Sequence, residues 1–188
     1  MKIDRKTFIA QCVALSATGI VGKTGYAEPA ASTNPGQRGA PKREEELFEI
    51  SLSQWSYHRA IFGDSRDDYA WFSKMLESDP DAVLKGELDP RDIVRKARGL
   101  DVDVVDLANI LWFGHGKDKP WLAEFKRRAD GEGVRFGVLM CDQLADIGAS
   151  DKSVRQRSIQ QHIQWMDTAW ELGCPYLRVN AYGDGSYL

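Results

Sequence analysis

The sequence predicts an α/β fold built on a parallel sheet, and three observations predict it. Strand-like and helix-like segments alternate in the order β-α-β-α-β-α-β, which forces parallel strands joined by right-handed crossovers. Val134 to Cys141 is almost continuously apolar, as suits a strand covered on both faces. Helix caps and stop glycines punctuate the segments between strands.

The first strand is expected at Phe48-Glu49-Ile50-Ser51-Leu52-Ser53, which alternates with period two. Asp89-Pro90 opens a helix, with Asp89 as N-cap, Pro90 in the first turn and Asp92 near the positive end. Ile93, Val94 and Ala97 give that helix an apolar side, and Gly99 is expected to stop it. Val102 to Ala108 reads as the second strand. Asp118 and Pro120 start the next helix, Leu122, Phe125 and Ala129 share one face, and Gly131 and Gly133 end it. After the third strand, Ser150 or Asp151 caps a helix whose apolar positions are Ile159, Ile163, Met166 and Trp170. Gly173 terminates it, and Pro175 to Asn180 reads as the fourth strand. An extra segment, Asp64 to Glu87, separates the first strand from the first crossover helix. Tyr69, Trp71, Phe72, Met75 and Leu76 predict a short inserted helix there. Gln54-Trp55-Ser56-Tyr57-His58-Arg59 follows the first strand where a nucleotide fold would carry a glycine-rich phosphate loop, which disfavours that fold.

The chain has 188 residues, 25 basic against 28 acidic, for a net charge of -3; 43% are hydrophobic and 28% charged. This composition fits a globular protein and excludes collagen-like, coiled-coil and fully disordered readings. The mild acidity disfavours nucleic acid as a partner, since a binder needs a basic face to neutralise phosphates. Residues 1–27 have the layout of an export signal: Lys2, Arg5 and Lys6, a mildly apolar run from Phe8 to Gly22, then Gly25-Tyr26-Ala27 as a cleavage site. Asp4-Arg5-Lys6-Thr7-Phe8-Ile9 resembles the twin-arginine export motif, with Lys6 at the second arginine. A periplasmic or otherwise exported protein is therefore expected, with no stable membrane span once the signal is removed. Its removal leaves 21 basic and 27 acidic residues, a net of -6. Residues 28–46 hold three prolines and two glycines without a large apolar residue and read as a disordered tether. The folded part is expected over residues 47–188.

Four blocks carry a family resemblance: Ser51-Leu52-Ser53-Gln54-Trp55-Ser56-Tyr57-His58-Arg59, Leu122-Ala123-Glu124-Phe125-Lys126-Arg127-Arg128-Ala129-Asp130, Leu139-Met140-Cys141-Asp142 and Leu177-Arg178-Val179-Asn180-Ala181. In this order and spacing they resemble the exported, xylose isomerase-like TIM-barrel proteins described as sugar phosphate isomerases/epimerases, over roughly residues 48–183. The resemblance implies a (β/α)8 barrel, which needs about 200 residues at least and typically about 250. Residues 47–188 supply about four parallel strands with three crossover helices, so the chain looks like the amino-terminal half of such a barrel. The two outer strands would then be open edges, and self-association through them is expected.

The resemblance also implies proton transfer next to a sugar carbonyl, with a divalent metal (Mn, Mg, Co or Zn) polarising the oxygens and carboxylates moving the proton. In the family the metal ligands come mostly from later strands, so none carries over to a residue of this sequence. His58, His115 and His162 match no metal spacing. The expected partner is a small carbohydrate at the carboxyl ends of the four strands.

Trp55 and His58 follow the first strand. Trp55 is suited to stack on an apolar sugar face or to cap the barrel core, and His58 to bond hydroxyls or transfer a proton. His162, inside a helix, reads as a packing or surface residue. Asn109, after the second strand, suits a hydroxyl or a turn. Asp142 ends the third strand, as a site carboxylate or a loop cap. Period two puts Tyr176, Arg178 and Asn180 on one face, sending Arg178 and Asn180 toward the barrel mouth. There Arg178 serves the site or forms an ion pair with a neighbouring strand. The Asp64–Glu87 segment is either a partial lid or a packing insertion. Cys141 and Cys174 lie at opposite strand ends, roughly 20 Å apart, too far for a disulfide, and two free thiols are expected.

Three functional classes follow. One is a sugar isomerase or epimerase, with a lyase or hydratase on an oxidised sugar sharing its first proton abstraction. The second is DNA-repair endonuclease activity, which the wider superfamily includes and which export and the acidic charge disfavour. The third is a non-catalytic or inactive truncated fragment.

Overall fold

The structure, a computed structural model, describes residues 48–185. The expected export signal (1–27) and tether (28–46) lie outside the described residues. Four strands form one sheet: β1 (Leu52–Ser53), β2 (Val104–Ala108), β3 (Arg135–Cys141) and β4 (Tyr176–Val179). They are hydrogen-bonded in sequence order and every pair is parallel. The helices are α1 (His58–Phe62), α2 (Tyr69–Ser78), α3 (Ile93–Gly99), α4 (Lys119–Glu132) and α5 (Lys152–Leu172). The crossovers from β1 to β4 run through α3, α4 and α5, and α2 is the short inserted helix.

The helices start where side chains satisfy their free amides. Asp68 accepts from Trp71 N, Asp118 from Trp121 N and Asp151 from Ser153 N. Gly133 and Gly173 close α4 and α5 at φ +68 and +80, the left-handed conformation that a residue without a Cβ adopts freely. Asp89 caps a 3-10 turn, Pro90–Asp92, that leads into α3. That helix runs through Gly99, and the residue with positive φ beyond it is Asp101 at +56, so Gly99 is not its stop.

All three crossover helices pack on one apolar cluster. Ile93, Val94 and Ala97 come from α3, Leu122, Phe125 and Ala129 from α4, and Trp165, Ala169 and Leu172 from α5. Val105 and Leu107 of β2 and Phe136, Leu139 and Cys141 of β3 meet them. A sheet in sequence order with its crossover helices on one core is the arc from which a (β/α)8 barrel is built, not a doubly wound sheet. By alternation the other face carries Ser53, Asp106, Met140 and Arg178.

A bulge keeps β3 in phase with this division. Val105 pairs with Phe136 but Leu107 with Leu139, so Gly137 and Val138 together oppose Asp106. Asp106 Oδ1 accepts from Val138 N at 2.8 Å and Asp106 Oδ2 from Ser51 Oγ at 2.5 Å. A Cβ at position 137 would stand 2.4 Å from Asp106 Oδ1, so a side chain there would push the carboxylate off Val138 N.

Two elements differ from the sequence expectation. The first strand shrinks from Phe48–Ser53 to Leu52–Ser53, because it pairs on one side only and Ile50 is exposed. The buried residues of α5 are Ser158, His162, Trp165, Met166, Thr168, Ala169 and Leu172, so Met166 is buried as expected while Ile159 is 45% exposed. His162 packs within its helix, its Nδ1 2.8 Å from the Ser158 carbonyl. Cys141 and Cys174 are both free and buried. The β3–β4 register sets Cys174 opposite Phe136, five residues from Cys141, or about 16 Å along the strand.

Candidate functional site

The carboxyl ends of β2, β3 and β4 gather four of the six candidate residues around Asp142. Asn109 follows β2 and is fully buried. Its side-chain amide donates to the Asp142 carbonyl at 3.1 Å and its oxygen accepts from Asp142 N at 2.8 Å, extending the β2–β3 ladder by one rung. Asp142 Oδ1 accepts from Arg178 Nη2 at 2.8 Å and from Asn180 Nδ2 at 2.7 Å. Asn180 also donates to the Cys141 carbonyl at 3.3 Å. Arg178 is half exposed, so its ion pair with Asp142 is open to water. The cluster offers the remaining N–H groups of Arg178 beside a carboxylate acceptor, with Asn180 fixing the carboxylate in place, a pattern able to receive hydroxyls.

The other two candidates lie together after β1. Gln54–Tyr57 forms a 3-10 turn, and α1 begins at His58. The His58 ring stacks on the Trp55 indole at 5.0 Å and 11°. His58 Nδ1 is 2.9 Å from the Trp55 carbonyl; a proton on Nδ1 makes that bond and leaves Nε2 with the lone pair that a general base needs. Trp55 also packs against the core, edge-on to Phe62.

The inserted segment reaches across this end of the sheet. Tyr69, in the first turn of α2, accepts at its hydroxyl from Gln143 Nε2 at 2.8 Å. Gln143 directly follows Asp142 and holds φ +56, a left-handed backbone that few residues other than glycine adopt. The insertion thus contacts the loop that carries the central carboxylate.

Gln54 and Asp106 belong to this region and escape the sequence reading. Gln54 is fully buried. Its Oε1 accepts from Ala108 N and Trp112 Nε1, and its Nε2 donates to the Pro90 carbonyl. Asp106, on the same face as Asp142 but two positions lower, below the Ala108–Met140 pair, is signalled only by a charged residue inside an apolar strand.

Among the described residues no group of three His, Cys, Asp or Glu side chains comes together to hold a metal ion. His115 lies between Asp81 and Asp118, and His162 is inside α5, so the three histidines are dispersed. Asp142 is engaged by two donors and both ends of the Asn109 amide are spent on backbone. The described residues therefore do not fit the oxygen-rich shell a divalent cation takes. Burial, ahead of the neighbouring Asp142, pushes the Cys141 thiol up to about 12, and burial pushes Cys174 up to about 12. Neither supplies a thiolate nucleophile near neutral pH. A cleft of about 210 Å³ between Phe113, Leu144 and Trp165 includes none of the six candidates. No described helix is long and apolar enough to cross a membrane.

No family model matches the chain, and no curated protein matches it.

Proposed function

We propose that this chain is the carbohydrate-binding arc of an exported, sugar isomerase/epimerase-like barrel protein, acting on a small sugar or sugar phosphate at the carboxyl ends of its strands. The observation that carries this reading is the convergence of Asn109, Arg178 and Asn180 on Asp142. Three strands deliver polar side chains to one point, where parallel α/β sheets bind ligands. Arg178, with N–H groups beyond the one given to Asp142, donates to hydroxyls, and the Asp142 carboxylate accepts from them. His58 Nε2 is the base suited to take a proton next to a carbonyl, with Asp142 as the second group able to hold one. The metal that such chemistry uses in the resembled family has no ligand set among the described residues. A lyase or hydratase on an oxidised sugar would begin with the same proton abstraction.

A binding role without turnover is the second reading. It is favoured by the two donors that already occupy Asp142 Oδ1, Arg178 Nη2 at 2.8 Å and Asn180 Nδ2 at 2.7 Å. One experiment separates the two. Purified protein is incubated with aldoses, ketoses and sugar acids in deuterated water, and both binding and loss of the C–H signal next to the carbonyl are followed by NMR. Exchange that Asp142→Asn and His58→Gln each lower at least about tenfold supports catalysis, a loss of about 1.4 kcal/mol in transition-state stabilisation. Binding without exchange supports the second reading. No binding of any sugar rejects both.

A further inference from the structure

His162 is a titratable side chain, 7% exposed, on the buried side of α5. Its Nδ1 lies 2.8 Å from the Ser158 carbonyl, one helix turn back, and 3.3 Å from Ser158 Oγ. A carbonyl oxygen only accepts, so Nδ1 carries the proton, and Nε2 of the neutral ring carries the lone pair. The imidazole's hydrogen bonds to described residues are both made at Nδ1, so among these residues Nε2 remains an acceptor without a protein donor. A buried acceptor without a donor is costly, and a water that supplies the donor offsets that cost.

The ring forms one wall of a cavity of about 20 Å³, with Cys141, Gln143, Asp146, Asn180 and Tyr182 among the others. Cys141 ends β3 and Asn180 follows β4, so the cavity lies at the same end of the sheet as Asp142. Its walls are tied together around it. Ala145 N donates to Gln161 Oε1 at 2.9 Å, next to His162 on α5, and Gly148 N donates to the Tyr182 carbonyl at 2.8 Å. Seating a water takes roughly 10–15 Å³ of such space and about two to four polar partners, so the cavity admits one water and no larger ligand. His162 Nε2 is one partner. Asn180 is the second: its Nδ2 is spent on Asp142 Oδ1 at 2.7 Å and on the Cys141 carbonyl at 3.3 Å, which leaves its oxygen to accept. The two O–H groups of one water match these two acceptors.

We propose that this cavity is a water site, and that its water couples His162 to Asn180 and, through the Asn180 amide, to the Asp142 carboxylate. His162 is then a positioning residue: it acts on Asp142 through the water and not on a ligand. A proton taken up at Nε2 turns the acceptor into a donor, so the water must turn with it. It also brings a positive charge toward the Asp142 cluster, which favours the ionised carboxylate. The other ionisable groups on the cavity are Asp146, Tyr182 and Cys141, whose thiol is pushed up to about 12 and stays neutral. Arg178, paired with Asp142 on its other flank, keeps its charge throughout. The coupling concerns the protonation of the cluster and stands whether or not a sugar binds there.

The test is NMR on the whole chain with no sugar present. Long-range proton–nitrogen spectra of the His162 ring read its tautomer, and cross-peaks from its ring protons to a long-lived water read the site. The side-chain carboxyl carbon of Asp142 reads the coupling as pH is varied. The expected result is the Nδ1–H tautomer, a water cross-peak, and a second inflection in the Asp142 curve where the His162 ring signals themselves titrate. His162→Gln, which can still bond the water but cannot titrate, should erase that second inflection and leave the first. Asp146→Asn should leave both. An Nε2–H tautomer, a ring with no water contact, or a His162 that stays neutral wherever the protein is folded overturns the proposal. So does a second inflection that survives His162→Gln or vanishes in Asp146→Asn. Should His162→Gln fail to fold, the wild type decides: inflections that coincide for the two residues support the coupling, and an Asp142 signal that stays flat through the His162 titration refutes it.

Discussion

Gln54 joins three parts of the fold through one side chain. Its carbonyl oxygen satisfies Ala108 N at the end of β2 and the indole of Trp112, and its amide satisfies Pro90 at the entry to α3. Trp112 is fully buried and in turn packs against Trp121, Phe125 and Trp165. Gln54→Leu keeps the approximate volume but strands two donors and a carbonyl in the core. It should lower stability by about 2–5 kcal/mol, since each buried unsatisfied group costs about 1–3 kcal/mol. Urea unfolding followed by tryptophan fluorescence measures this, and a loss below about 1 kcal/mol would show that water replaces the bonds. At this scale the sequence reveals residues at strand ends and conceals residues defined by distant partners. Asp142, Arg178 and Asn180 were legible because parallel strands end at the site and period two assigns faces. Gln54 was not, because its burial depends on groups 36 to 58 residues away. Asp106 was hidden for a related reason: its role appears only when the Gly137 bulge presents an unpaired amide to it.

At the scale of elements, caps and stop glycines located the long helices well, while faces and strand lengths were less legible. The apolar pattern of α5 pointed to Ile159, yet the buried stripe accepts Ser158 and His162, whose Oγ and Nδ1 are bonded within their own helix turn. The pairing of α3 with α4 adds an electrostatic layer. Arg128 on α4 reaches Asp92 at 2.7 Å and Asp89 at 3.3 Å near the start of α3, and pairs with Glu124 on its own helix. Hydrogen bonds from Arg127, then Arg128, hold Glu124 down from 4.5 to about 2. A carboxylate whose folded pKa is depressed stabilises the fold above its unfolded pKa and loses that contribution as pH falls through the folded one. The difference in melting temperature between wild type and Glu124→Gln should therefore be full at neutral pH and close between pH 4.5 and about 2. Because Arg127 is exposed and Glu124 and Arg128 are only half-buried, added salt should shrink the difference as well. A difference independent of pH would assign the effect of the substitution to helix packing instead.

At the scale of the molecule, the arc leaves its two outer strands with one hydrogen-bonded neighbour each, β2 for β1 and β3 for β4. A free strand edge presents unpaired N–H and C=O groups and invites another strand. Apolar groups accompany both edges: Ile50 is 67% exposed before β1, and Tyr176 and Val179 on β4 are 63% and 38% exposed. Two arcs related by a two-fold axis would set β4 of each against β1 of the other. All strands would remain parallel, and the eight together would close the ring of a (β/α)8 barrel. This arrangement satisfies both edges with one operator and buries the second sheet face, whereas pairing through a single edge leaves the other open and extends into polymers. Light scattering on the purified chain should accordingly give a mass that rises to that of a discrete dimer with concentration. Val179→Lys places a charge on the β4 edge and should shift that equilibrium toward monomer by about tenfold or more, the cost of a charge brought against an apolar contact. A chain that stays monomeric at every concentration would require that the edges be covered by other means, and growth without limit would favour open pairing through one edge over the closed ring.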